Sequence, residues 1–363
     1  MSNWASLPPF IDKYNLGHTL GKGSFSIVKE CQDTETNNRY AIKIIPKTNM
    51  TTQKDIEHFE QEVNVVLKMD HPGIIKIHNF LADNSFFYLV MELFSGKTLV
   101  ECTPKNGLID EEFAKPIFKQ ILEVINYIHE QGIAHRDMKL ENVLLDNRGH
   151  IKLIDFGFSK FADQGQVFKT PCGSPAYAAP EVMGGSSYDG KAADMWSCGV
   201  LLFSLVTGDL PWKAGNQVQV FNQIQKGKIE MPPGLSQFCS DLISKLLVPE
   251  ASMRLTAAEA ISHPWMAGIS VNWDKDVGVK PLINVNAIRK VITDSGNSFN
   301  TSSPSPRTML KQIARTSIKP PKGSTSFGPR MPSPMGQMIR MGPKIPTINK
   351  DFGLAAHIPP SNQ

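Results

Sequence analysis

Two tracts of different periodicity predict an α+β chain with a small β-rich lobe over Leu16–Met91 and a larger, mainly helical lobe beyond Gly96. A third tract, from about Ser295 to Gln363, is crowded with Pro, Gly, Ser, Thr and Met and keeps no apolar period. Such a segment buries too little surface to offset its chain entropy, so it is expected to be a disordered tail. Hydrophobic residues make up 41% of the 363, enough for a substantial core and against a wholly disordered chain. No run approaches the ~18 apolar residues of a membrane span.

In the first lobe, Ser24–Cys31, Tyr40–Ile45, Ile74–Phe80 and Phe86–Met91 are rich in Val, Ile, Phe or Tyr and bounded by Gly, Asn, Asp or Pro. These runs read as strands. Gln53–Met69 interrupts them with Ile56, Phe59, Val63, Val66 and Leu67 at three- and four-residue spacing, the pattern of an amphipathic helix. In the second lobe Asp110 reads as an N-cap, and Phe113, Ile117, Ile121, Ile125 and Ile128 form one stripe of the helix it opens. Pro116, one turn in, is expected to kink that helix. Further helices are expected around 191–207, 216–226 and 236–247, and Val279–Ile292 is patterned as a short amphipathic helix.

Lys plus Arg total 38 against 34 for Asp plus Glu, but residues 1–266 hold 25 basic and 30 acidic side chains while residues 267–363 hold 13 and 4. The tail's basic residues are dispersed, with no Lys/Arg cluster and few aromatics between them. That distribution argues for a linker or regulatory tail and against specific nucleic-acid binding. Cys31, Cys102, Cys172, Cys198 and Cys239 form no C-x-x-C pair, the usage of reduced thiols in a cytoplasmic protein rather than of a disulfide framework or zinc site. Met1-Ser2-Asn3-Trp4 resembles no secretory leader, and Ser2 stands where myristoylation needs glycine.

The chemistry begins at Leu20-Gly21-Lys22-Gly23-Ser24-Phe25-Ser26-Ile27-Val28, a glycine-rich turn between strands. Glycines let backbone N–H groups approach phosphate oxygens. Alone the turn is equally an ordinary hairpin, and since no helix follows, it does not open a dinucleotide-binding unit. Next comes Tyr40-Ala41-Ile42-Lys43. A lysine on an apolar strand needs a partner or a route to water, and Glu62 on the interior side of the following helix is the candidate partner. Downstream stand His135-Arg136-Asp137-Met138-Lys139-Leu140-Glu141-Asn142, then Ile154-Asp155-Phe156-Gly157, Thr170-Pro171-Cys172-Gly173-Ser174-Pro175 and Ala179-Pro180-Glu181. Any one of these is unremarkable as a solvated loop; the ordered set is not.

With these motifs in this order, the chain resembles a eukaryotic protein kinase of the serine/threonine type over about Tyr14–Met266. It is most similar to the calcium/calmodulin-dependent and AMP-activated group, through Cys172–Pro175 and Asp194-Met195-Trp196-Ser197-Cys198-Gly199-Val200. The resemblance implies a bilobal kinase fold: an N-terminal extension (1–13), an N-lobe (14–94), a C-lobe (95–266), a regulatory helix region (267–294) and the basic disordered tail (295–363). It implies transfer of the γ-phosphoryl group of Mg-ATP to Ser/Thr hydroxyls of protein substrates.

By the same resemblance Lys43 would hold the α- and β-phosphates, oriented by Glu62, while Asn142 and Asp155 would bind Mg2+ as oxygen donors. Asp137 would orient the acceptor hydroxyl and take its proton, and Lys139 would neutralise the moving phosphoryl group. Leu20, Gly21, Lys22, Gly23, Ser24, Phe25 and Ser26 would cover the nucleotide. Val28, Ala41 and Leu144 would sandwich the adenine, with Met91 behind it and Glu92 and Phe94 supplying hinge backbone groups. Lys139, two residues after Asp137, is the serine/threonine pattern.

Regulation is implied too. Arg136, Lys160 and His58 match positions that converge on a phosphorylated activation-loop threonine, here Thr170, so an upstream activating kinase is expected. Glu181 is expected to pair with Arg254, Asp194 to bond the catalytic-loop backbone, and Ile77, Val66, Phe156 and His135 to stack between the lobes. Thr98 stands where many basophilic relatives carry a glutamate, which weakens any preference for arginine near the target. Asp351-Phe352-Gly353 repeats the magnesium motif without its strand context and is taken as coincidence. A nucleotide-binding scaffold without transfer would need a lost catalytic group, and none is lost. A small-molecule phosphotransferase would not need the long Asp155–Glu181 segment.

Overall fold

Tyr14 begins a chain of antiparallel pairings that fixes the first lobe. The computed structural model describes residues 7–23, 26–49, 53–103, 109–156, 159–161, 168, 174–185, 187–212 and 217–273; the side chains of 53–56, 58, 61, 62, 160, 161 and 217 are outside that description. The tail and the Val279–Ile292 segment expected to be helical lie outside the described residues.

Strands β1 (Phe10–Ile11), β2 (Tyr14–Lys22), β3 (Ile27–Asp33) and β4 (Arg39–Pro46) are followed by helix α1 (Gln53–Leu67) and strands β5 (Ile77–Ala82) and β6 (Phe86–Glu92). The six strands form one antiparallel sheet in the order β1-β2-β3-β4-β6-β5. The strand period of two divides its apolar side chains between two cores. Ile42 and Ile44 join Tyr14, Ile27, Cys31, Phe86, Tyr88 and Val90. Ile45 turns the other way and joins Phe87, Leu89 and Phe80 beneath Phe59 and Val63 of α1. Ala41 and Lys43 alternate with Ile42 and Ile44, so they share the face of Ile45, toward α1.

The second lobe contains β7 (Gly96–Thr98), α2 (Leu99–Cys102), α3 (Glu111–Glu130), β8 (Ile133–Ala134), β9 (Val143–Asp146), β10 (Ile151–Leu153), β11 (Lys160–Phe161), α4 (Pro180–Met183), α5 (Gly190–Thr207), α6 (Gln217–Lys226), α7 (Gln237–Leu246) and α8 (Ala257–Ile261). β10-β9-β7 make a three-stranded sheet, and β8 pairs with β11. Asp110 caps α3 by accepting the Glu112 N–H at 3.0 Å. Ile117, Ile121, Ile125 and Ile128 are buried, but Phe113, expected in the same stripe, is 47% exposed. A four-residue step overshoots the 3.6-residue turn by about 40°, so Phe113 has drifted to the helix edge three steps from Ile125. The helix runs as a single element through Pro116, which was expected to bend it.

α5 is buried along almost its whole length; its Asp194, Ser197 and Thr207 side chains find hydrogen-bond partners, while the Trp196 indole nitrogen has none among the described residues. It begins at the N-cap Asp189 and stops at Gly208, whose φ of 69° is the left-handed conformation that suits glycine. The expected brace is present: Arg254, with a fully buried side chain, meets Glu181 through two bonds of 2.9 and 3.2 Å. Between the lobes, Val66 and Phe156 lie in the large core with Ile77 packed against it. The His135 and Phe156 rings meet edge-on at 4.9 Å. Cys31, Cys102, Cys198 and Cys239 are free thiols.

Candidate active site

The loop between β8 and β9 carries a dense polar network, and α5 holds it in place. Asp194 is 1% exposed; its two oxygens accept the backbone N–H groups of His135 (2.8 Å) and Arg136 (2.6 Å). His129 at the end of α3 adds a contact to the same carboxylate at 2.9 Å. These bonds support a left-handed backbone at Arg136 (φ 68°), an uncommon conformation for a residue with a Cβ. His135 is fully buried, which disfavours its charged form, and its Nδ1 accepts the Asp137 N–H at 3.3 Å. It is a neutral core histidine.

Asp137 is the hub. Its Oδ1 accepts from the Ser174 N–H (3.0 Å) and hydroxyl (3.2 Å). Its Oδ2 accepts from Lys139 Nζ (2.7 Å) and Asn142 Nδ2 (3.2 Å). The Asn142 amide nitrogen also donates to the Asp137 carbonyl at 2.8 Å, and Lys139 donates to the Ser174 hydroxyl at 3.0 Å. Asp137 and Asn142 are 5% and 4% exposed, so this carboxylate is fixed in orientation by four donors in a site with little water.

Lys43 of β4 donates to Asp155 Oδ1 at 2.9 Å. Asp155 follows β10 in a left-handed conformation (φ 63°). The Lys43 ammonium beside it outweighs the cost of burial and holds the Asp155 carboxyl down at about 2, so it is ionised at neutral pH. Among the described residues no group of three or more His, Cys, Asp and Glu side chains converges. A divalent cation here would therefore draw on the Asp155 carboxylate and the Asn142 side-chain oxygen, with the remainder from water and phosphate. That sparse all-oxygen set suits Mg2+, which keeps much of its own shell.

The sheet aligns the residues expected around a nucleotide. Gly21 pairs with Val28, Val28 with Lys43, and Ala41 with Met91. Gly23 donates to the Ser26 carbonyl at 2.9 Å, closing the turn between β2 and β3, and Leu20 beside it is 45% exposed. Lys22 is exposed on the same strand end, and Ser24 and Phe25 lie outside the described residues. Leu144 lies on β9, half-buried, and pairs with Thr98 and Lys152. Where the lobes join, Glu92 accepts the Lys76 N–H (2.7 Å) and the buried Lys152 ammonium (2.8 Å), and the Phe94 carbonyl accepts the Gly96 N–H at 3.0 Å. Thr98 is spent on its own helix: with Glu101 it forms the capping box of α2, its N–H and hydroxyl meeting Glu101 Oε2 at 2.8 and 2.7 Å.

Arg136 sits among aromatic groups. Its guanidinium donates to the Tyr188 hydroxyl at 3.1 and 2.9 Å and lies 4.3 Å from the Phe168 ring centroid. Phe168 and Tyr188 exchange both backbone bonds (2.8 and 2.9 Å), which ties the segment two residues before Thr170 to the entry of α5. Thr170 itself and the side chains of Glu62, His58 and Lys160 are outside the described residues. The structure thus brings together Lys43, Asp137, Lys139, Asn142 and Asp155. Sequence reasoning noted Ser174 without its role: a hydroxyl one residue before a proline carries no local mark of a bond to a residue 37 positions earlier. Tyr188, Phe168 and Lys152 went unremarked for the same reason.

A family model described as "Protein kinase domain" matches residues 14–266. The chain is 36% identical over 258 residues to CBL-interacting protein kinase 9 of Oryza sativa subsp. japonica, covering 70% of this chain and 57% of that protein. It is 37% identical over 258 residues to CBL-interacting serine/threonine-protein kinase 26 of Arabidopsis thaliana (70% and 59%). It is 39% identical over 259 residues to CBL-interacting serine/threonine-protein kinase 1 of the same plant (70% and 58%). The matches thus span less than two thirds of the length of these curated relatives.

Proposed function

The chain belongs to the protein kinase family, matched over residues 14–266, and from that premise we propose that it transfers the γ-phosphoryl group of Mg-ATP to serine and threonine hydroxyls of protein substrates. The observation that carries this reading is the immobilised Asp137 carboxylate, held by Lys139, Asn142 and Ser174, with the Lys43–Asp155 pair near Lys139. Phosphoryl transfer asks for positioning and charge compensation more than for covalent chemistry, and these groups supply both.

Asp137 orients the acceptor hydroxyl and takes its proton as the oxygen attacks phosphorus. Lys139 neutralises the charge that spreads over the phosphoryl oxygens, and Lys43 holds the α- and β-phosphates. Asp155 and Asn142 would hold Mg2+, which when bound neutralises phosphate charge and aligns the nucleotide. Val28, Ala41 and Leu144 flank the adenine, and Glu92 and Phe94 present hinge backbone groups to it. The lysine two residues after Asp137 and the names of the relatives support a serine/threonine acceptor.

Activation follows from phosphorylation of Thr170 by an upstream kinase. The support is the buried Arg136 cation beside the Phe168–Tyr188 bridge. A phosphate at Thr170 would add up to about two negative charges, and pairing with such a cation would order the segment through charge-assisted bonds. We propose a cytoplasmic protein, with the tail beyond residue 294 as a regulatory linker.

The test is transfer of labelled phosphate from Mg-ATP to mixed Ser/Thr peptides after treatment with an activating kinase. Transfer by the wild type that is lost in Asp155→Asn and strongly reduced in Thr170→Ala supports the reading. Nucleotide binding without any transfer would replace it with a scaffold. Near-normal activity of Thr170→Ala would remove the activation step alone.

A further inference from the structure

The segment that follows the family-matched region does not leave the domain at once. Residues 267–273 lie along α3, where three residues of one helical stripe, spaced by four, make successive contacts. The Lys119 ammonium donates to the Ile269 carbonyl. Glu123 accepts the Trp273 indole N–H at 2.8 Å. The Tyr127 hydroxyl accepts the Asp70 N–H at 3.0 Å. The first two bonds hold the C-terminal segment; the third holds the loop that joins α1 to β5.

Trp273 closes the gap between them. Its ring meets His71 edge-on at 4.9 Å, and His71 in turn packs on Tyr127 at 5.0 Å. Trp273 also lies against Gly73: a Cβ there would fall 2.7 Å from the indole and would strike Val124 of α3 as well. His71 is half-buried; that burial and the nearby Lys152 push its pKa down to about 4, and its Nδ1 accepts the Gly73 N–H at 3.0 Å. The loop is thus clamped on one side by α3 and on another by the indole.

Its remaining contacts reach the phosphate-binding side. The Gly73 carbonyl accepts the Leu153 N–H at 2.7 Å, Ile75 donates to the Leu153 carbonyl at 3.1 Å, and Ile74 bridges Leu153 in parallel. Leu153 ends β10 two residues before Asp155, and the same loop sets where α1 begins its return to β5.

We propose that Trp273 is a positioning residue for nucleotide binding, a wedge through which the segment after the catalytic domain sets the loop His71–Gly73 and, through Leu153, the placement of Asp155. The proposal rests on the kinase reading only for its choice of ligand. A loosened wedge lets the loop and α1 shift, and small misplacements of groups that orient phosphates are costly.

The experiment measures the Mg-ATP dissociation constant and the thermal midpoint of the full-length chain as wild type, Trp273→Ala, Trp273→Phe and Glu123→Leu. The expected result is binding weakened roughly threefold to tenfold in Trp273→Ala and less in Glu123→Leu and Trp273→Phe, each of which loses the bond between residues 123 and 273 but keeps an aromatic ring in the wedge. Equal affinity in all four proteins, or weakening that Trp273→Phe does not relieve, overturns the proposal. A fall in thermal midpoint with unchanged affinity also overturns it, because that is what a purely structural contact produces. If Trp273→Ala fails to fold, weakened binding in both Glu123→Leu and Trp273→Phe supports the proposal, and wild-type affinity in both overturns it. Because the readout is binding, a wild type that binds nucleotide without transferring phosphate would refute the activity and leave this test intact.

Discussion

Replacing Glu181 by alanine takes away a carboxylate bonded to a guanidinium with no exposed surface. Arg254 donates to Glu181 at 2.9 and 3.2 Å and has 0% side-chain exposure, whereas Glu181 keeps 18%. Breaking a buried pair by removing one partner costs about 3–5 kcal/mol, most of it the uncompensated charge left behind. Here the cost falls at the low end, for two reasons. Arg254 also donates to the carbonyls of Ala192 (2.6 Å) and Val248 (3.1 and 3.0 Å) and lies 5.1 Å from the Trp196 ring centroid. Water can also reach the space that Glu181 vacates. About 3 kcal/mol in a domain of this size corresponds to a melting shift of roughly 6–12 °C. The assay is a thermal melt of Glu181→Ala beside the double variant Glu181→Leu/Arg254→Met, which removes both charges. The double variant recovers only part of the loss, because the carbonyls of Ala192 and Val248 lose their donor. A single-variant shift below about 2 °C would refute the reasoning, since it would mean that Arg254 is hydrated after all.

Two further outcomes follow from the site. Ser174→Ala deletes one hydroxyl bonded to both Asp137 and Lys139 while keeping the backbone N–H bond. At about 1.5–3 kcal/mol for hydrogen bonds to charged groups, kcat should fall roughly tenfold to a hundredfold with the peptide KM little changed; unchanged kcat in steady-state kinetics would contradict that role. The second concerns acid. The Lys43 ammonium lowers Asp155 to about 2 in the folded protein, so its ionised form adds stability that is complete above the ordinary carboxylate value near ~4 and is lost as pH falls through about 2. Because the Asp155 side chain is 44% exposed, solvent screens the pair and the effect is modest. Melts of wild type and Lys43→Met between pH 5 and 2, within roughly that window, should converge as pH falls. Parallel curves would contradict the pairing.

The fold was legible because strands and helices of this chain announce themselves by period. Tyr40–Ile45 alternates across two cores, and α1 repeats its apolar residues at three and four. The expectations for the helices near 191–207, 216–226 and 236–247 came within a residue or two of α5, α6 and α7. The first two strands were less visible, since β2 carries glycines and polar residues that only pairing with β3 makes regular. Phe113 misled for a geometric reason: a stripe drawn every fourth residue does not follow a helix for more than two turns. In the site, Lys43, Asp137, Lys139, Asn142 and Asp155 were readable as a set because their order and spacing are carried by the chain itself. Their partners were not. Ser174, Tyr188 and Lys152 do their work across gaps of tens of residues, and nothing local distinguishes them from other hydroxyls and cations.

The chain by itself therefore determined the α+β class, the division into a sheet-rich and a helical part, the family and the identity of the chemical groups, since all of these depend on residue type and short-range order. Tertiary structure alone decided what each group is bound to. It decided that Asp137 is immobilised by four donors, that Thr98 closes a capping box, that Arg136 lies beside Phe168 and Tyr188, and that Trp273 reaches back to His71. The physical reason is that propensity and periodicity act between neighbours a few residues apart, whereas hydrogen bonds and desolvation act between whatever the folded chain brings within about 3 Å.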